Sequence, residues 1–284
     1  MKCQICNGES RLVFLKEKNV SCGDYFDGKR LYERNLGATP LLECRNCGFA
    51  YFSEMHGWTE NKYRIEIYNE NYGLCDPPFK EARPRKLAAW LSNILEPVDL
   101  IDFGGGEGQL AGLLVGKGFN ARCYDPFYGP RQLPNGDAEV VTAFEVVEHV
   151  PDQRPLFRSL KGLCRSGGKV VFSTLLKDKY LGGDWWYSSP RNGHVSFHTR
   201  DSLGRIMGDL GLEWLSLSPE MHVCSVSRDA LADATEWKSV SVSGTPAFLF
   251  DGGWSKMRPI KVPEITALPR ANASQTYEDQ QAAE

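Results

Sequence analysis

DFGGGEGQL, residues 102–110, sets four glycines in five positions directly behind an apolar run. Together with the following QLAGLLVGKG, it reads as a short buried strand, a tight turn and a helix ending at Gly116 or Gly118. A turn stripped of side chains lets a ligand approach the backbone without a Cβ clash. A phosphate-cradling P-loop needs G-x-x-x-x-G-K-[ST]. Neither this turn nor the stretch from Gly112 to Gly118 supplies that spacing and hydroxyl. A dinucleotide fingerprint, G-x-G-x-x-[GA], does occur from Gly106 to Ala111, with Asp125 near the place of a ribose-binding acid.

Asp102 separates the alternatives. A carboxylate immediately before the turn repels a pyrophosphate but can receive the ammonium of an amino-acid-bearing cofactor. Asp125, closing the strand FNARCYD, suits a ribose diol. Outward from the turn, AEVVTAF reads as a third strand, LFRSLKGLC as a helix, KVVFSTLL as a strand entered through Ser166-Gly167-Gly168, and DSLGRIMGDLG as a helix. EWLSLSPEMHVCSVSR reads as two β segments joined at Ser218-Pro219-Glu220, an antiparallel hairpin at the sheet edge. Alternating strands and helices predict an α/β domain with a parallel, Rossmann-like sheet covered on both faces.

On these residues the chain resembles the class I S-adenosylmethionine (SAM)-dependent methyltransferases, whose first motif reads acid, small apolar residue, Gly-x-Gly-x-Gly. The resemblance spans roughly residues 60–228 and includes FEVVEHVPD and the terminal hairpin. It implies SAM as cofactor, bound by Asp102, Gly104, Gly105, Gly106, Gly108 and Asp125, with Phe144 and Glu145 beside it. The segment PFYGPRQLPNGD, residues 126–137, departs from the family pattern because it is too short for a further helix and strand. Adenine recognition there is unassigned, with Phe127 as a candidate contact.

Cys3-x-x-Cys6 and Cys44-x-x-Cys47 form two pairs on tight turns. Four thiolates so paired fit a closed, structural tetrahedral Zn²⁺ site. The rival, two redox Cys-x-x-Cys motifs, lacks a surrounding βαβ pattern. The expected organisation is a small zinc-ribbon-like module over 1–55, a helical linker or substrate cap over 56–96, the methyltransferase domain over 97–228, and an irregular or disordered extension over 229–284. A zinc module ahead of such a domain also resembles bacterial methyltransferases of deoxysugar and surface-polysaccharide pathways, where the module helps cover the substrate.

Composition narrows the partners. Thirty-three basic and thirty-six acidic side chains give a net charge of -3, which disfavours nucleic acid as the primary partner. No stretch approaches the roughly 20 apolar residues of a membrane span, and MKCQICNGES lacks the apolar core of a signal peptide. Nine cysteines without an export signal point to a reducing, cytoplasmic setting.

Methyl transfer needs an aligned and deprotonated nucleophile. His194 is the preferred general base, with Glu145 and His149 nearby and His198 a further imidazole in RNGHVSFHT. Glu145, Glu148, His149 and His194 are similar to the divalent-metal set of ubiquinone-pathway and small-RNA 2′-O-methyltransferases. That similarity implies Mg²⁺ or a transition metal, although E-x-x-E-H also occurs in class I members without one. Trp185, Trp186 and Tyr187, with Tyr63, Tyr68 and Tyr72, offer rings for stacking or for core packing. The functional expectation is a methyltransferase acting at O or C of a small polar acceptor, a nucleotide-linked or polysaccharide sugar. The alternatives are a metal-assisted O-methyltransferase of a quinone precursor or RNA 2′-OH, an NAD-dependent oxidoreductase, and a non-catalytic zinc-module adaptor.

Overall fold

The computed structural model describes residues 1–27, 36–75, 79–128, 132–177 and 185–238. The extension expected to be irregular lies outside these residues from 239 onward. Its beginning, 229–238, holds two short 3₁₀ turns.

The N-terminal part carries β1 (Ser10–Glu17), α1 (Cys22–Asp27), β2 (Ala38–Cys44), β3 (Ala50–Phe52) and α2 (Ser53–His56). The stretch expected to be a helical linker holds α3 (Glu60–Glu66) and α4 (Phe79–Ile94). The side chain of Thr59 caps α3 by accepting the Lys62 N–H.

The large sheet follows. Its members are β4 (Asp99–Phe103), β5 (Asn120–Tyr124), β6 (Ala138–Ala143) and β7 (Cys164–Ser173), with α5 (Gln109–Val115) and α6 (Gln153–Leu163) between them. Then come β8 (Ser196–Phe197), α7 (Arg200–Asp209), β9 (Glu213–Ser216) and β10 (Met221–Ser225). The order is β5-β4-β6-β7-β10-β9. β5, β4, β6 and β7 run parallel, and the expected hairpin closes the edge antiparallel. Among the described residues no strand lies beyond β5, as the short 126–137 segment requires. β7 begins two residues before the expected Ser166 turn, and its register against β6 slips between Ala138 and Val140.

Period-two burial explains the two-faced core. Ile101, Val141, Val170 and Phe172 face α6 and α7, whereas Leu100, Val140, Val171 and Val223 face α4 and α5. The cysteine turns pack into the first of these clusters through Cys3, Ile5, Cys44 and Cys47. A second sheet has the order β1-β2-β3-β8. Its last strand comes from the segment just after His194, so the N-terminal module and the methyltransferase region share one sheet.

Candidate active site

Strands β4, β5, β6 and β7 all end on one side, where ligands of open parallel sheets bind. At the end of β4, Gly104 has φ +75°, and a Cβ there would lie 2.4 Å from Val146 Cγ2. Only glycine fits both demands. The contact also sets the glycine turn against the Glu145–His149 segment. A Cβ on Gly105 would lie 2.2 Å from Asp102 Oδ2, so the turn folds directly over that carboxylate.

Asp102 is buried. Its Oδ1 accepts the Thr142 hydroxyl at 2.8 Å, while Oδ2 has no hydrogen-bond partner. Burial pushes its carboxyl up to about 6, against the opposing pull of the Thr142 bond. An orphaned buried oxygen beneath a side-chain-free turn fits a ligand's ammonium group.

Asp125 accepts three backbone N–H groups, from Gly106 at 2.9 Å, Phe127 at 2.8 Å and Tyr128 at 3.3 Å. A carboxylate has roughly four lone-pair sites. Asp125 therefore retains capacity for about one ligand hydroxyl rather than the two acceptors expected, and its main local role is to tie the glycine turn to residues 126–128. Phe127 packs on Tyr68 in a tilted arrangement with centroids 4.5 Å apart, and the Arg64 guanidinium lies over the Phe127 ring at 5.0 Å. Phe144 is buried in the core beside Val140 and Val171.

Glu145 adopts φ +56°, a left-handed conformation unusual for a non-glycine residue. Ser173 holds it there: its Oγ accepts the Glu145 N–H at 2.7 Å and donates to Glu145 Oε1 at 2.9 Å. Arg83 Nη2 lies 3.7 Å from Glu145 Oε2. Neither Ser173 nor Arg83 was singled out in the sequence. The basic cluster ARPRK ahead of β4 was the one available signal for the arginine.

Glu148, His149 and His194 each bring one donor atom within 4.8 Å of the others. Glu145, the fourth member of the expected set, is not in that group. Glu148 is fully buried, with the Tyr187 hydroxyl beside it as the neutral donor that favours its charged form. Burial and the Glu145 charge drive its carboxyl well above the usual range. His149 presents Nε2 at 3.8 Å from Glu148 Oε1, with Nδ1 3.3 Å from the Tyr68 hydroxyl. His194 Nδ1 lies 2.7 Å from the Tyr187 carbonyl and must donate to it, which leaves Nε2 as the lone-pair nitrogen. Burial holds His194 down to about 4, and His149 well below its ordinary value through burial and the neighbouring His194. Both rings are neutral at pH 7. Such rings are weak general bases but well-prepared metal ligands, because the remote nitrogen is fixed by a backbone or hydroxyl partner. His198 lies apart from the group, bonded to Ser202 and Gln153. Trp185 and Tyr187 pack on Phe197 as core residues, and Tyr63 bonds the Met55 carbonyl.

The four cysteine sulfurs gather as the spacing predicts, with Cys3–Cys47 at 3.7 Å and Cys6–Cys44 at 3.4 Å. Tetrahedral zinc with Zn–S bonds of about 2.3 Å has S–S edges of about 3.8 Å, so the donors fit that ion. The N–H groups of Ile5 and Asn46 point at Cys3 and Cys44 at 3.3 and 3.4 Å. They favour thiolates at those positions. The hydrogen bond from Cys47 holds the Cys3 thiol down to about 5 and pushes Cys47 up in turn.

Residues 79–217 match a family model described as a methyltransferase domain. Ubiquinone biosynthesis O-methyltransferase of Aromatoleum aromaticum is 32% identical over 108 residues, 33% of this chain and 46% of that protein. The enzyme of the same description from Chromobacterium violaceum is 32% identical over 135 residues, 43% of this chain and 58% of that protein. The chain thus spans about half the length of the curated relatives it matches. Among solved structures, a Burkholderia thailandensis 1,6-didemethyltoxoflavin-N1-methyltransferase with bound S-adenosylhomocysteine aligns at TM-score 0.45 and 12% identity, covering 68% of this chain and 96% of that one. Among the described residues no helix is long and apolar enough to cross a membrane.

Proposed function

We propose that this chain, whose residues 79–217 match a methyltransferase domain, uses SAM to methylate an oxygen of a small hydroxyl-bearing acceptor, assisted by a divalent metal held by Glu148, His149 and His194. The observation that carries the reading is the convergence of Glu148, a fully buried carboxylate, with two imidazoles kept neutral, their donor atoms within 4.8 Å of one another. A buried carboxylate is costly unless a cation or donor meets it. Two nitrogens and one oxygen suit Mn²⁺, Fe²⁺, Co²⁺ or Zn²⁺ better than Mg²⁺, which prefers oxygen ligands. When bound, such an ion lowers the pKa of a coordinated hydroxyl.

The remaining work falls to this chain's own side chains. Asp102 and the glycine turn receive the amino-acid end of SAM, and Asp125 takes a ribose hydroxyl. The contact between Gly104 and Val146 holds that cofactor turn against the segment bearing Glu148 and His149. Tyr68, between Phe127 and His149, offers an aromatic face to the acceptor ring. Vicinal hydroxyls on a ring are common to sugars and to quinone precursors. The expected sugar reading draws on the zinc module, whereas the relatives' names favour a quinone precursor. In this reading Cys3, Cys6, Cys44 and Cys47 hold structural zinc.

The test is transfer of isotopically labelled methyl from SAM to nucleotide sugars and to dihydroxybenzoate-type acceptors, with Mn²⁺, with Mg²⁺ and with chelator. Transfer in one acceptor class that requires metal, and that falls about 100-fold in Glu148→Gln at unchanged S-adenosylhomocysteine affinity, supports the reading. Full turnover by Glu148→Gln refutes the metal role. NAD binding in place of SAM refutes the methyltransferase reading.

A further inference from the structure

The three donors of the Glu148, His149 and His194 group come from two separate chain segments, and each segment is gripped by one turn of the cysteine cluster. Gln4 lies between Cys3 and Cys6. Its side-chain amide donates to the Pro151 carbonyl at 2.8 Å, sits 3.2 Å from His56 Nδ1, and accepts the Gln153 N–H at 3.4 Å. Arg154 donates to the backbone carbonyls of Gln4 and Ile5. On the opposite side, the Cys47 carbonyl accepts the Thr199 hydroxyl at 2.6 Å. Gly48 abuts the same residue, since a Cβ there would lie 2.7 Å from the Thr199 methyl.

Between these grips the second sheet runs directly into the site. The Phe52 N–H donates to the Val195 carbonyl at 3.1 Å, and His56 Nε2 reaches the same oxygen at 3.0 Å. That carbonyl fixes His56 with Nε2 as donor, so Nδ1 is free to accept from Gln4. Ser196 Oγ donates to the Val150 carbonyl at 2.8 Å, and the Val195 N–H donates to the Glu148 carbonyl at 2.7 Å. Residues 147–153 and 193–199 are turns and a two-residue strand. Inside them Gln153 donates to the Val147 and Val150 carbonyls and its Oε1 meets His198 Nε2, so the cysteine turns add outer grips to an internal tie, and a slip of about an ångström would still open the donor group.

We propose that the four-cysteine centre is a clamp on the Glu148–His149–His194 group, with Gln4 at one turn and Thr199 at the other acting as positioning residues. The catalytic part of the inference rests on the metal-assisted reading above, whereas the mechanical part stands on the hydrogen-bond path alone.

Zinc-loaded full-length protein is compared with Gln4→Met, Thr199→Val and Thr199→Ser. The measurements are amide exchange over 193–199 by mass spectrometry, methyl-transfer kinetics, and S-adenosylhomocysteine affinity by calorimetry. Gln4→Met and Thr199→Val are each expected to speed exchange at Val195 about tenfold and lower kcat about tenfold, with cofactor affinity within about twofold. Thr199→Ser, which keeps the hydroxyl, is expected to restore both. Unchanged exchange and kcat with only a lowered Tm overturn the clamp, as does loss of cofactor affinity in step with kcat. Because the Thr199 hydroxyl also accepts the Ser202 N–H that caps α7, Gln4→Met decides, and should it not fold, Arg154→Met, which removes the bonds to the Gln4 and Ile5 carbonyls, takes its place with the same expectations. Should no acceptor be methylated, the functional reading fails, and the exchange data still decide whether the clamp exists.

Discussion

Replacing Asp102 by Asn should make the protein more stable and its cofactor affinity weaker at once. The carboxyl is buried, one oxygen unpartnered, and is held at about 6 against a reference of 3.8. Raised in the folded state, this group costs stability as pH climbs from about 4 through about 6, and the full cost is present above that. At pH 7 the ionised form costs the ligand-free protein about 3 kcal/mol. Asn keeps a carbonyl for the Thr142 hydroxyl and carries no charge, so Tm should rise by several degrees at pH 7 and change little at pH 4. The ammonium of SAM needs the ionised carboxylate. For a group titrating at about 6, the ionised fraction falls about tenfold between pH 7 and pH 5, and wild-type affinity should follow. In Asp102→Asn the affinity should be about 10 to 100 times weaker at pH 7, the loss of one charge-assisted hydrogen bond, and flat with pH. Isothermal calorimetry with S-adenosylhomocysteine from pH 5 to 8, beside thermal melts of the ligand-free proteins, reads both effects. Wild-type affinity in the variant, or a lower Tm at pH 7, would refute the placement of the cofactor amine on this oxygen.

Acid should destabilise the fold through histidines outside the metal group. His56 and His222 are held down to about 4, and His198 to about 3, each chiefly by burial. Their depressed values add stability above pH 6.5 that is lost as pH falls toward 4, about 2 kcal/mol per ring by pH 5. Asp102 shifts the balance the other way over part of this range, and the rings outweigh it. A urea midpoint that does not fall between pH 7 and pH 5 would contradict this. Gly105→Ala forces a methyl to within 2.2 Å of Asp102 Oδ2, so S-adenosylhomocysteine binding should vanish by calorimetry while the far-UV circular dichroism persists; retained binding would show that the turn is not the cradle. Cys44→Ser should release zinc, read by native mass spectrometry, and cost several kcal/mol in chemical denaturation. A variant that keeps stoichiometric zinc would remove Cys44 from the ligand set.

Local chemistry made much of this protein legible from sequence. The α/β alternation, the terminal hairpin and the shortness of the segment after β5 were readable because burial period and segment length are local properties. The cysteine quartet was readable because two tight turns with paired thiols have few other uses. The three-donor group was legible only in part. Glu148, His149 and His194 converge, whereas Glu145 stays outside that group, its left-handed backbone bonded to Ser173, 28 residues on in sequence. Arg83 likewise meets Glu145 from a helix about sixty residues upstream.

Residue types thus determined by themselves the sheet, the bare cofactor turn and the pairs of thiols, since each depends on neighbours within a few positions. Tertiary structure alone decided that β8 leaves the His194 segment to complete the N-terminal sheet, and that Gln4 and Thr199 tie the two cysteine turns to the segments carrying the buried donors. The physical reason is that hydrogen bonds across 150 residues leave no periodic trace. A glutamine inside a cysteine turn looks the same in sequence whether it faces water or holds the wall of a site.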